Sequence, residues 1–125
     1  MKKGVAALIA VISIGALITI IGFSSAVISY WANQNVDSNK KSLKAYYAAY
    51  SGIQDALIKL ERNKDYTTNF NLSINATNDV SIAFSGGTIT STSTLSQINK
   101  KLQIVVIIDS TTSLVTPTST SELSL

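Results

Sequence analysis

The chain of 125 residues contains no cysteine and no histidine. Disulfide bonds, thiol chemistry and cysteine-based metal sites are therefore excluded. The absence of histidine also removes the commonest general base and the commonest metal ligand. The seven acidic residues show no carboxylate pair and no metal-ligand spacing, and the sequence has no glycine-rich phosphate loop. We therefore expect the protein not to be an enzyme and to hold no cofactor or metal ion.

Charged residues are scarce at the start of the chain, and proline is absent from its first half. No charged residue occurs between Lys3 and Asp37, and no proline interrupts residues 5–64. The stretch from Val5 to Trp31 is apolar or weakly polar throughout. As a helix it would be roughly 40 Å long, which exceeds the ~30 Å hydrocarbon core of a bilayer. We expect the apolar segment, residues 5–36, to insert into a membrane.

The basic residues outside the leader do not indicate a nucleic-acid partner. The formal net charge is only +3, and two of the ten basic residues lie at positions 2 and 3. The remaining lysines form no long basic stripe along the sequence. We therefore expect no nucleic acid among the partners.

The segment after the apolar run has the pattern of an amphipathic helix, residues 37–64. Asp55 and Lys59 are spaced to pair at i,i+4. The segment either continues the apolar helix, for a total of roughly 85 Å, or begins anew with an N-cap in Asp37-Ser38-Asn39. Six apolar side chains recur at spacings of three and four, which predicts one sheet-packing stripe: Leu43, Tyr46, Tyr50, Ile53, Leu57 and Leu60.

Beyond residue 64 the hydrophobic period is that of strands. Apolar and polar residues alternate from Phe70 to Ile74 and from Val80 to Phe84, and Gly86-Gly87 marks a turn. The run from Leu102 to Ile108 is the most apolar strand candidate. We expect three or four short antiparallel strands within residues 69–109.

These elements predict an α+β fold in which a long N-terminal helix, partly transmembrane, packs on a small antiparallel sheet. The globular domain would comprise residues 37–109. Residues 110–125 are rich in serine and threonine, with Pro117 among them, and are expected to form a mobile tail. The alternative is that Leu114-Val115 extends the last strand.

The leader Met1-Lys2-Lys3-Gly4 allows three fates on chemical grounds. The chain stays an uncleaved anchor, with the lysines kept in the cytoplasm by the positive-inside rule. Alternatively, signal peptidase cuts after the small residues Ser24-Ser25-Ala26, although the preceding apolar run is longer than a usual signal peptide has. The third fate is cleavage after Gly4.

The leader, followed by Val5-Ala6-Ala7-Leu8-Ile9-Ala10-Val11, resembles the N-terminus of type IV pilins and pseudopilins. The run from Ala48 to Leu57 is similar to the A-x-x-G-x-x-x-A helix of the PilX-like branch of that superfamily. The segments from Thr88 to Ser91 and from Lys100 to Val106 look like the closing strands of such subunits. The resemblance loosely covers residues 1–109, and its specific part is the leader with the helix.

The resemblance implies that a prepilin peptidase cuts between Gly4 and Val5 and that the new N-terminus is methylated. The subunit would be stored in the cell membrane as a single-pass protein with its N-terminus in the cytoplasm. An assembly machinery would then polymerise it with other pilin subunits into an extracellular pilus or a pseudopilus, as a main or a minor subunit. Most pilins have a glutamate at the fifth mature position, where this chain has Ile9, and tip or initiating pseudopilins share that departure.

Small residues in the apolar segment would let helices approach closely in such a bundle. Gly22, Ser24 and Ser25 mark the weakest point of the helix, where we expect local unwinding in a filament. The alternative function is a membrane-anchored extracytoplasmic binding module that never polymerises. The residues expected at the helix–helix contacts are Ala6, Ala7, Ile9, Ala10, Ser13, Gly15 and Ala16.

Overall fold

A computed structural model describes residues 2–75 and 79–123. The chain divides into two compact units, Met1–Ser38 and Asn39–Leu125, which are described separately. One turn of 3-10 helix covers Leu95–Gln97. The other elements are a helix and five strands: α1 (Lys2–Arg62), β1 (Phe70–Leu72), β2 (Val80–Ser85), β3 (Thr88–Ser93), β4 (Lys100–Ile108) and β5 (Val115–Leu123).

The helix is continuous in sequence, since Asp37, Ser38 and Asn39 are all helical. Every non-terminal position in it can donate its backbone N–H, because no proline is present. Lys59 and Arg62 lie in its last turn, where positive charge is favoured by the helix dipole. Of the two alternatives for the middle of the helix, the uninterrupted one is therefore correct.

The five strands form one antiparallel sheet in the order β1-β2-β3-β4-β5, so that neighbours in the sheet are also neighbours in sequence. Gly86 and Gly87 form the predicted turn between β2 and β3, with φ values of 52° and 81°. Positive φ at both central residues matches the twist of a two-residue hairpin and is unfavourable for residues with a side chain. The turn fixes the register, in which Ser85 pairs with Thr88 and Val80 with Ser93.

The core of the second unit lies between the helix and one face of the sheet. Its largest buried side chains are Ile53 on the helix and Ile82, Ile89 and Leu102 on the strands. Alternate residues of β3 are buried, as a sheet with one covered face requires. The predicted fold class, a long helix packed on a small antiparallel sheet, is confirmed.

The helix face that meets the sheet matches the predicted stripe only in part. Ile53 and Leu60 are buried, and Tyr46 and Leu57 are partly buried against the core, as expected. The prediction was wrong for Leu43 and Tyr50, which are 54% and 44% exposed. The buried residues of the helix are instead mostly small, and small side chains let its backbone lie close to the sheet: Ala45, Ala48, Ala49, Gly52 and Ala56.

The prediction of a mobile tail over residues 110–125 is also wrong for the residues that the structure describes, which end at residue 123. Residues 115–123 form β5, which pairs with β4 from Lys101 to Ile108. The strand contains four threonine and serine residues in its centre, and threonine has a high strand propensity. The globular unit therefore extends beyond residue 109, and the alternative that residues 114–115 continue the sheet was nearer to the structure. Within residues 2–75 and 79–123 there are five strands rather than three or four, and Ile74 lies outside β1.

A turn closed by Asp109 explains why the chain returns as β5. The Asp109 carboxylate accepts hydrogen bonds from the backbone N–H groups of Thr111 at 2.7 Å and Thr112 at 3.1 Å. These two donors hold the pKa of Asp109 below its ordinary value of 3.8. Such an Asx turn sets the chain direction locally. At the far end of the hairpin, Lys100 and Glu122 form an ion pair.

Candidate functional site

The first unit is a helix whose apolar surface is uncovered. All of its described residues are exposed, including every large apolar side chain from Val5 to Trp31. None of its most apolar 18 residues is buried, and by length and composition the helix could cross a membrane. A continuous apolar surface of this size is rare on soluble monomers and marks a membrane or protein contact.

Four hydroxyl groups of this unit form hydrogen bonds within the helix. The hydroxyl groups of Ser13, Thr19, Ser24 and Ser25 each donate to the carbonyl oxygen four residues earlier, at 2.8 to 2.9 Å. These hydroxyls therefore need no water or partner chain to complete their hydrogen bonds. The helix can enter an apolar environment without leaving these groups unpaired.

Small residues cluster on one side of the first turns. Ala6, Ala10, Ser13 and Ala16 follow each other at spacings of four, three and three, which places them on one face of α1. Ile9 lies on the same face and is 59% exposed. Ala7 and Gly15, expected at the same contacts, lie off this face by helical geometry.

The remaining predicted positions of the first unit are also helical and exposed. Gly4 and Val5, which flank the expected cut, belong to the first turns of α1. Gly22, Ser24 and Ser25 are helical in the single chain. Their expected unwinding concerns an assembled filament and stays a prediction.

Aromatic side chains lie at the end of the apolar run. Tyr30 and Trp31 are both exposed. The Gln34 side-chain amide donates to the Tyr30 hydroxyl at 2.7 Å, so the polar tip of this tyrosine has a partner. Tyrosine and tryptophan are enriched at the two interfaces of a bilayer, because their rings have an apolar body and a polar edge.

The second unit carries a cavity of ≈ 260 Å³ at the end of the sheet near Leu60 and Ile108. Tyr66 and Phe84, which line it, are in edge-to-face contact with ring centroids 5.3 Å apart. Lys64 is the only charged residue among the lining residues. The other polar side chains that line it carry hydroxyl groups: Tyr66, Thr67, Ser85 and Thr88.

Among residues 2–75 and 79–123, no group of three or more histidine, cysteine, aspartate or glutamate side chains is placed to hold a metal ion.

Comparison with known proteins gave no family. No protein-family model, curated protein or solved structure matches the chain.

Proposed function

We propose that the chain is a pilin-like structural subunit of a type IV pilus or a type II-like pseudopilus. It is stored in the membrane through the apolar half of α1, is cut after Gly4, and polymerises through the exposed helix beginning at Val5. The membrane and the filament are successive environments for the same apolar surface of α1.

The observation that carries this proposal is the exposed apolar helix of the first unit. Its large side chains are uncovered in the single chain, so water is an unfavourable final environment for them. Lipid covers this surface in the stored subunit, and a bundle of like helices covers it in the filament. The face formed by Ala6, Ala10, Ser13 and Ala16 would allow close contact between helices in that bundle.

The second unit supplies what a filament subunit needs on its outside. Its sheet is covered by the helix on one face, while the strands carry many serine and threonine side chains that water can solvate. The leader sequence and the resemblance to pilins support the same assignment. No partner other than further subunits, the membrane, a prepilin peptidase and an assembly machinery is needed.

A membrane-anchored binding module is the second candidate. It is favoured by Ile9, which occupies the position where most pilins carry a glutamate that docks a neighbour's N-terminus. An anchored module needs the apolar helix but neither the cut after Gly4 nor the docking acid.

The two candidates differ in where the chain is found after shearing of native-host cells. We expect the chain in filaments that sediment from the sheared supernatant, detected by antibody and by electron microscopy. Gly4→Leu should block processing and leave the chain in the membrane fraction, whereas the matched leader variant Lys3→Arg should still enter filaments. If the unaltered chain is confined to the membrane fraction in assembling cells, the anchored module is the better account.

A further inference from the structure

The cavity near Leu60 and Ile108 in the second unit has an apolar floor. Leu60 of α1, Ile89 of β3 and Val106 of β4 line it, and each is 5% exposed or less. Because these side chains belong to the packed core, the floor is formed in the single chain. The cavity volume of ≈ 260 Å³ exceeds the roughly 150 Å³ of a protein cavity that takes up benzene. It therefore has room for an aromatic ring with a short substituent.

Aromatic side chains form one wall of this cavity. Tyr66 and Phe84 line it, and their rings meet edge to face at an interplanar angle of 76°. Phe70 packs against both rings, with centroid distances of 6.2 Å to Tyr66 and 6.2 Å to Phe84. A ring bound on the floor could extend this cluster, since aromatic rings attract one another in edge-to-face and offset arrangements.

The segment that follows the helix is held at the cavity by hydrogen bonds. The backbone N–H of Tyr66 donates to the carbonyl oxygen of Asn63 at 3.1 Å, which closes a turn that contains Lys64. Further along, the Asn69 side-chain oxygen accepts a hydrogen bond from the backbone N–H of Phe84 at 3.0 Å. The backbone that carries Lys64 and Tyr66 is therefore tied both to the end of the helix and to β2.

Lys64 brings a positive charge to the cavity that no acidic side chain neutralises. Among residues 2–75 and 79–123, no carboxylate lines the cavity and none forms an ion pair with Lys64. The acidic neighbours in sequence, Glu61 and Asp65, are exposed. By contrast, Lys59 on the last turns of the helix pairs with Asp55 at 3.1 Å. A bound ligand with one negative charge would complete an ion pair that the chain itself leaves open.

We propose that this cavity binds a small aromatic carboxylate. The ring lies on the apolar floor beside Tyr66 and Phe84, and the carboxylate accepts a hydrogen bond from the Lys64 ammonium group. Such a charge-assisted hydrogen bond is stronger than one between neutral groups. The hydroxyl groups of Thr67 and Thr88, which also line the cavity, are further donors for the carboxylate. The site lies within the second unit, so it does not depend on membrane storage or assembly.

Nuclear magnetic resonance of the full chain in detergent micelles tests the proposal, with phenylacetate as the probe. The amides of Gly86 and Gly87 line the cavity and report binding, whereas the amide of Gly22, in the first unit, reports partition of the probe into the micelle. We expect saturable shifts at Gly86 and Gly87 and none at Gly22. A ligand of about ten heavy atoms should bind with a dissociation constant on the order of 1 mM.

Two comparisons test the role of charge at the cavity. Phenylacetamide, a neutral analogue of the same shape, should bind about tenfold more weakly than phenylacetate. Lys64→Gln should weaken the binding of phenylacetate about tenfold and leave that of phenylacetamide unchanged. The matched variant Lys101→Gln, at the start of β4 and outside the cavity lining, should bind phenylacetate as the unaltered chain does.

A further variant tests the aromatic wall. Phe84→Leu keeps an apolar side chain but removes the ring, and it should weaken the binding of phenylacetate about threefold. The amide shifts of β4 in the same spectra verify that each variant is folded.

The inference would be overturned by shifts that do not saturate, or that are as large at Gly22 as at Gly87, because the probe would then only enter the micelle. Equal affinity for phenylacetate and phenylacetamide would overturn it as well, since Lys64 would not be recognising a negative charge. None of these results bears on the cut after Gly4 or on filament formation, which separate experiments test.

Discussion

Replacing Gly52 with leucine is expected to abolish the packing of the helix on the sheet in the second unit. A single Cβ atom at this position would already lie 2.5 Å from the Ser91 hydroxyl oxygen and 2.8 Å from a methyl carbon of Val80. Both neighbours are completely buried, so they have little room to move. Overpacking a core by a few methylene groups costs about 1–3 kcal/mol, and a whole leucine exceeds that range. Small domains have ~5–15 kcal/mol of total stability.

Hydrogen exchange of the strand amides in detergent micelles measures this effect. Gly52→Leu should remove the protection of β2, β3 and β4. Gly22→Leu is the matched control, since it makes the same change in the same helix at a position with nothing within 4 Å. Retained strand protection in Gly52→Leu would contradict the close approach of helix and sheet.

A smaller substitution at Gly52 tests the same contact between helix and sheet with a single added carbon atom. Gly52→Ala gains about 1 kcal/mol of helix propensity but is still expected to lose stability through the two close contacts. The Ser91 hydroxyl is buried and has no hydrogen-bond partner among the described residues. Ser91→Ala should therefore be neutral or stabilising, and combined with Gly52→Ala it should recover about 1 kcal/mol.

Replacing Ile14 and Ile18 with lysine, in the middle of the apolar helix, is expected to prevent both membrane storage and assembly. Ile14 and Ile18 are exposed and lie near the centre of the run from Val5 to Trp31. A lysine at the centre of a membrane helix costs about 3 kcal/mol, and each isoleucine lost adds about 0.5 kcal/mol, so the pair costs roughly 7 kcal/mol. In a helical bundle the two charges would lack both water and a partner.

The measurement is the fraction of chain that resists alkaline extraction from membranes, together with the yield of sheared filaments. Ile14→Lys with Ile18→Lys should lower both nearly to background, whereas Ile14→Leu with Ile18→Leu should leave both unchanged. An unaltered membrane fraction in the lysine variant would show that this helix is not the anchor.

The elements that the sequence predicted well are those with a clear hydrophobic period. The absence of proline and the three-and-four spacing from Leu43 to Leu60 predicted a helix, and the pair Gly86-Gly87 predicted a hairpin turn. The ion pair between Asp55 and Lys59, 3.1 Å apart, was likewise predicted from its i,i+4 spacing. These signals are local, so a single sequence carries them.

The errors arose where contacts between distant segments decide the structure. The three-and-four spacing included Leu43 and Tyr50 because both are large and apolar. In the structure the helix lies so close to the sheet that most of its buried positions hold alanine or Gly52. Residues 115–123 have few apolar side chains, so their strand depends on pairing with β4 and on the turn at Asp109.

The most direct test of the central claim is the intact mass of the chain purified from its native host. A chain that begins at Val5, with or without one methyl group, is the result that the account predicts, because assembly follows the cut after Gly4 in the proposed function. A chain that still begins at Met1 or Lys2 would contradict the account and leave a permanent membrane anchor. A chain that begins near Val27 would contradict it as well, since the helix proposed for assembly would then be absent from the mature protein.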